Sequence, residues 1–219
     1  MQHEDPTIET GATPASVILQ ADGLRFTYPQ RPLFMHWSAR ITPGLTLLRG
    51  DDGSGKTTLL RLLAGELKAD AGTLAINGAK LSEQPDAYRR QVFWLDPRSK
   101  QFDQITALDY FASLRRQYQA LDAALLDELA EELTLTPHLA KPLYMLSTGS
   151  KRKVWLAAAF ASGATVTLLD EPFAALDKGS INFVLELLAE AAQSGRAFVM
   201  AHYEAPGDVA LAQVIELGV

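Results

Sequence analysis

The segment Gly50-Asp51-Asp52-Gly53-Ser54-Gly55-Lys56-Thr57-Thr58 has the residue types and spacing to hold a polyphosphate. It fits the pattern G-x-x-x-x-G-K-[ST], with an apolar run before it and helix-forming residues after it. Glycines let successive backbone N–H groups turn inward around an anion without side-chain clashes. The N-terminus of the following helix adds roughly half a positive charge and unsatisfied N–H donors. Lys56 is placed to reach the β- and γ-phosphates of a nucleoside triphosphate, and the Thr57 hydroxyl to coordinate Mg²⁺. The simpler reading is a Gly-rich turn ahead of a helix. The strand–loop–helix context favours the phosphate loop.

A second group lies downstream. The apolar stretch 164–169 runs into Asp170-Glu171-Pro172. Side chains alternate along a strand, so adjacent acids point in different directions. One can join a magnesium shell while the other faces a water. Phosphoryl transfer needs both jobs done: a metal to neutralise developing charge and a group to orient the nucleophile. Asp170 suits the metal and Glu171 the water. His202 follows the apolar run 197–201 and, in its neutral form, offers one donor and one acceptor to link phosphate and water. Alone, either feature reads as a strand end. Together, downstream of a phosphate loop, they read as catalytic.

The elements that must position these residues follow from pattern and punctuation. Residues 17–21 and 24–28 look like short strands broken by Asp22-Gly23. Residues 45–48 are a buried-strand candidate ahead of the loop, 58–64 a helix stopped by Gly65, and 72–75 with Asn77-Gly78 a small hairpin. Residues 92–95 are a further strand candidate. The middle changes character: Leu121, Leu125, Leu129 and Leu133 recur at spacing four, one face of a helix within an all-helical section, 104–133. Strand signals return at 164–169, 197–201 and 213–217, with an amphipathic helix at 178–193. That order suggests a helical subdomain inserted into an α/β domain.

Composition narrows the function classes. The chain has 219 residues and a formal net charge of −6, and the acidic balance argues against nucleic-acid binding. With no cysteine, disulfides, thiolate catalysis and cysteine-ligated zinc are excluded. Four scattered histidines make a histidine metal cluster an unfavoured reading. No stretch approaches the roughly 20 apolar residues of a membrane span, and the polar start lacks a secretory pattern. A cytosolic protein is the default expectation.

The order of motifs resembles the ATP-binding subunit of ABC transporters over about residues 17–217. The distinctive piece is Leu146-Ser147-Thr148-Gly149-Ser150, at the start of an apolar helix 151–161, which resembles the family signature L-S-G-G-Q. Ala174-Ala175-Leu176-Asp177 resembles the family's S-A-L-D loop. Ser147, Gly149 and the following helix N-terminus can offer hydroxyl, backbone donors and dipole to a phosphate. A plain helix N-cap at Ser147 or Ser150 is the alternative. Tyr28, about twenty residues before the phosphate loop, resembles the aromatic residue that stacks on adenine. Phe26 is the other candidate.

The resemblance implies an α/β P-loop NTPase fold of the ABC ATPase type. It would have a RecA-like core, an N-terminal antiparallel β subdomain and an inserted helical subdomain. The implied division is a flexible tail at 1–15 and a single domain at 16–219. Within the domain, 16–95 and 163–219 form the core with the β subdomain, and 96–162 the helical part. It also implies ATP and Mg²⁺, and a head-to-tail pair of identical subunits burying two ATP molecules. A polytopic membrane permease would be encoded separately and be faced by the segment around 96–106. The protein would then sit peripherally on the cytoplasmic side of a membrane, and its small size points to an export-type subunit. A soluble ATP-driven assembly or regulatory module is the alternative use of the fold.

Two departures stand out. Thr148 and Ser150 replace a signature glycine and glutamine. Asp96 stands where the family carries a glutamine after a strand. A carboxylate there is able to ligate Mg²⁺ but adds negative charge beside a triphosphate, with Gln101 and Gln104 as alternatives. The basic run Lys151-Arg152-Lys153 can pair with phosphate or acidic neighbours, or form a solvated helix face.

Overall fold

The computed structural model describes residues 16–29 and 31–218, so the expected tail at 1–15 lies outside the described residues. Nine strands fall into two sheets. An antiparallel sheet runs in the order β2 (Arg31–Ile41), β1 (Leu19–Tyr28), β4 (Ala71–Ile76) and β5 (Ala79–Lys80). Its first strand corrects the sequence reading. Asp22-Gly23 does not end a strand; it is a bulge inside one, with Gly23 at φ 60° and a register shift between Ala21 and Leu24. The extra residue moves the apolar positions from Leu19 and Ala21 to Leu24 and Phe26, and all four stay on the core face. The sequence reading names no strand at β2, although Leu33, Met35, Trp37, Ala39 and Ile41 alternate there. Of its residues only Phe34 and Ile41 are buried, and His36 at φ 65° interrupts the alternation. Asn77 and Gly78, at φ 47° and 81°, form the tight turn of the β4–β5 hairpin.

The second sheet is parallel throughout, in the order β6 (Val92–Phe93), β7 (Val166–Asp170), β8 (Ala197–Ala201), β3 (Gly44–Arg49) and β9 (Gln213–Glu216). Every residue of β7 and β8 is buried, as expected of central parallel strands covered on both faces. The phosphate loop leaves β3 at its carboxyl end, the acid pair leaves β7 and His202 leaves β8. Parallel order brings all three to one edge, where ligands of such sheets bind. Because β8 lies between β3 and β7, His202 is set between the other two groups.

Among the described residues there are six α-helices: α1 (Lys56–Leu63), α2 (Pro85–Arg89), α3 (Ala107–Gln117), α4 (Ala123–Glu132), α5 (Thr148–Ala161) and α6 (Lys178–Ala191). The leucine run at spacing four does not lie on one helix. Asp122 caps α4 by accepting from Leu125 N–H at 3.0 Å, so Leu121 precedes the helix. Thr106 and Asp109 form a reciprocal capping box at the start of α3. α5 is buried all round across 154–161, which makes it the spine joining the helical section to the parallel sheet. Arg196 secures its far end. The guanidinium donates to the carbonyls of Phe160 (3.0 Å) and Ala164 (2.7 Å) and to Thr167 Oγ1 (2.9 Å), and lies over the Phe198 ring. These partners are neutral, so burial pulls its pKa down to about 10 and the orphan carbonyls of the helix terminus hold the charge.

Candidate active site

The phosphate loop takes a conformation that its glycines alone permit. Gly53 and Gly55 sit at φ 78° and 103°, and Gly55 is the N-cap of α1 with no side-chain cap. A Cβ at Gly55 would press on Leu33 (3.0 Å) and Phe34 (3.1 Å) of β2, so the antiparallel sheet buttresses the loop. The first N–H groups of α1 therefore face the cleft without an internal acceptor. Lys56 is only 8% exposed. Its ammonium donates to the carbonyls of Gly50 (2.6 Å) and Asp51 (3.2 Å), and no carboxylate lies within ion-pair distance among the described residues. A buried cation without a counter-ion, beside an open helix N-terminus, is a site that fits an anion. Ser54 Oγ is also buried without a hydrogen-bond partner there.

Thr57 donates its hydroxyl to Asp170 Oδ2 at 2.8 Å, joining the loop to the end of β7. Asp170 is buried, and burial raises its pKa above the usual carboxylate range. The Thr57 hydrogen bond and the charges of Arg98 and Arg152 oppose that rise. The hydroxyl and carboxylate are hard oxygen donors of the kind Mg²⁺ accepts. Glu171 follows in a left-handed conformation, φ 46°, which a non-glycine residue adopts only when its surroundings hold it there. Its N–H is fixed by Ala201 O at 3.0 Å. Its carboxylate Oε2 lies 3.6 Å from His202 Nε2. The imidazole is buried between Phe173 and Tyr203, and its Nδ1 meets the Glu204 backbone. Nε2 is thereby directed to Glu171.

The phosphate loop and the acid pair border a cleft of about 330 Å³, while His202 is not part of its wall and stands against Glu171. The cleft walls include Asp51, Asp52, Gly53, Gly55, Lys56, Thr57, Thr58, Asp170, Glu171 and Tyr28. Tyr28, 40% exposed, ends β1 with its hydroxyl 3.2 Å from Thr58 Oγ1 and its ring edge-on to Phe26. Phe26 is buried, so Tyr28 presents the accessible ring. Sequence reasoning missed Arg31, Leu33 and Arg98, which also line the cleft. Arg31 and Leu33 stand beside no motif, and near Arg98 attention falls on Asp96; only the fold of β2 and of the loop after β6 brings the three to the cleft.

The remaining candidates lie elsewhere. Ser147 and Gly149 do not line the cleft. Ser147 is the N-cap of α5, accepting from Ser150 N–H at 3.0 Å with the Ser150 hydroxyl at 2.9 Å. Gly149 packs so tightly on the 174–177 loop that a Cβ would meet Ala175 O at 2.5 Å. Asp96 is also outside the cleft. Its Oδ1 accepts from Arg98 N–H at 2.8 Å, and it lines a neighbouring cavity with Gln101. The basic run is not a solvated face. Lys151 pairs with Asp103 (2.6 Å), Arg152 donates to Asp170 O (2.8 Å) and Lys153 pairs with Asp177 (2.8 Å). Each residue ties α5 to a different loop. Those partners lie up to 48 residues away in sequence, which is why the run gave no sign of them.

The sequence model of the family described as "ABC transporter" matches residues 36–174. The cytochrome c biogenesis ATP-binding export protein CcmA of Pseudomonas savastanoi pv. phaseolicola is 33% identical over 188 residues, 85% of this chain and 88% of that one. The protein of the same name from Escherichia coli K12 is 29% identical over 188 residues, with 85% and 89% covered. Among solved structures, an ATP-binding subunit of an ABC transporter superposes with a TM-score of 0.81 at 24% identity. That match covers 91% of this chain and 85% of the other.

Proposed function

Because this chain belongs to the ABC transporter family and is one of its ATPase subunits, we propose that it works as a head-to-tail pair around two MgATP molecules. The pair drives a separate membrane permease in the export direction. The observation that carries the reading is the convergence of the uncompensated Lys56 ammonium, the Thr57–Asp170 contact and the Glu171–His202 pair on one sheet edge. Export is supported by the relatives, which are named as export proteins. No helix among the described residues is long and apolar enough to cross a membrane, so the membrane path belongs to another chain in this reading.

Each residue has a defined task. The glycine loop and the α1 N-terminus bind the phosphates, with Gly50, Asp51, Asp52, Gly53, Ser54, Gly55 and Thr58 shaping the cradle. Lys56 turns from the loop carbonyls to the β- and γ-phosphates. Thr57 and Asp170 would hold Mg²⁺, which would supply neutralisation of the developing charge. Glu171 accepts a proton from the attacking water at Oε2. His202, whose Nε2 faces that carboxylate in the free chain, turns its Nε2–H to the γ-phosphate when nucleotide is bound. The Tyr28 ring stacks on the base. Ser147 and Gly149 serve the nucleotide bound by the other subunit, which explains why they lie outside their own cleft. Hydrolysis removes part of the interface and lets the pair reopen.

The test is recovery of the tagged protein from detergent-solubilised native membranes, with partners identified by mass spectrometry. A stoichiometric polytopic membrane protein is the expected result. Soluble partners alone, in every nucleotide state, would overturn the permease assignment in favour of a soluble ATP-driven module.

A further inference from the structure

Arg98 is given no task above, although it lines the cleft together with Thr57, Asp170 and Glu171. A tight turn fixes its backbone: Arg98 N–H donates to Asp96 Oδ1 at 2.8 Å, and Ser99 N–H to Asp96 O at 2.9 Å. The Asp96 carboxylate is thus used to build the turn. The guanidinium is left over. Among the described residues, no ion pair and no side-chain hydrogen bond engages it, and the residue is exposed. Arg152 makes the contrast. It is also close to Asp170 but half-buried, and is committed to the Asp170 carbonyl. Arg98 is near enough for its charge to favour the ionised form of Asp170. It also lines the adjoining cavity of about 510 Å³, with Trp94 and Asp96, and so stands in the wall between two cavities.

The charge balance gives this position a purpose. Four carboxylates, Asp51, Asp52, Asp170 and Glu171, border the cleft that a triphosphate must enter. A guanidinium is always charged, is weakly hydrated and presents a planar fork that matches two phosphate oxygens. We propose that Arg98 is a phosphate-binding residue of this site, its guanidinium taking the terminal phosphate of ATP from the loop after β6. The proposal rests on the ATPase reading of the cleft. It also accounts for Asp96: the acid orients the arginine instead of facing the nucleotide. Engagement of the phosphate then pulls directly on the wall of the 510 Å³ cavity.

The test is a titration with fluorescent derivatives of a non-hydrolysable ATP analogue and of ADP. Wild type, Arg98→Ala, Arg98→Lys and Lys56→Ala are compared, with thermal melting of each free protein. Loss of a charge-assisted contact made only to the terminal phosphate weakens the triphosphate roughly 10–100-fold in Arg98→Ala and leaves ADP within about twofold. Arg98→Lys falls between wild type and alanine. The melting temperature of Arg98→Ala stays near the wild-type value, since the exposed guanidinium makes no hydrogen bond or ion pair among the described residues. Unchanged triphosphate affinity, or equal losses for ATP analogue and ADP, would overturn the assignment. Lys56→Ala separates the two levels. If it loses binding while Arg98→Ala does not, only Arg98 is misassigned. If wild type itself binds neither nucleotide, the ATPase reading fails with it.

Discussion

Two helix N-termini in this protein are built from the same kind of sequence, small residues ahead of a basic one, and end in opposite states. α1 begins at Gly55, which has no side chain to offer, and its first N–H groups and Lys56 have no counter-charge. α5 begins at Ser147, whose hydroxyl already satisfies Ser150, and its basic residues are matched to Asp103, the Asp170 carbonyl and Asp177. An uncapped terminus wants a ligand; a capped one is stable without it. The first end is prepared for an anion within the single chain. At the second, under the proposed pairing, Ser147 would exchange its internal partner for a phosphate. That difference suits a nucleotide-dependent pairing of subunits: in the proposed pair, one half-site would hold ATP alone, and the other would engage only when a second chain brings it up.

The largest effect should come from removing the chemistry while keeping both helix ends. Glu171→Gln is expected to lower turnover by about 10²–10⁴-fold with ATP affinity kept, read by phosphate release and nucleotide titration. Breaking the open end comes next. Lys56→Ala leaves the phosphates without their buried cation and should weaken ATP binding by roughly 100-fold, as measured by calorimetry. Arg196→Gln cuts α5 from the sheet at its far end. Loss of the charged hydrogen bonds to the α5 terminus should cost about 2–4 kcal/mol in denaturant unfolding. ATP affinity per folded molecule should be unchanged. The smallest effect probes the capped end: Ser147→Ala should cost about 1 kcal/mol of stability. It should leave nucleotide affinity of the single chain intact, whereas Lys56→Ala does the reverse. Reduced ATP affinity in Ser147→Ala monomers would erase the contrast between the two ends.

The site was legible in sequence wherever neighbours in the chain are also neighbours in space. The glycine loop, the acid pair and the signature each form one turn at a strand or helix end; spacing located the first, the loop's presence upstream singled out the second, and the family resemblance the third. The convergence of the loop, the acid pair and His202 on one edge comes from the parallel strand order of the sheet. What escaped was set by long-range contact. β2 does alternate apolar residues at Leu33, Met35, Trp37, Ala39 and Ile41, but His36 at positive φ shifts its phase, so that Phe34 on one side of it and Ile41 on the other are the buried residues. The Gly23 bulge looked like a strand end because a one-residue insertion and a turn have the same local composition. Arg98 reaches the cleft because Asp96 turns its backbone, a pairing visible only once the carboxylate is seen to face the chain.

In the proposed pair, the open end of one chain and the capped end of another close on the same nucleotide. Light scattering of Glu171→Gln, with hydrolysis stalled, is the first experiment to make. A monomer is expected without nucleotide and with ADP, and a dimer with MgATP that Ser147→Ala added to the same chain weakens. A monomer in all three states, or a dimer indifferent to ATP and to Ser147, would contradict that pairing.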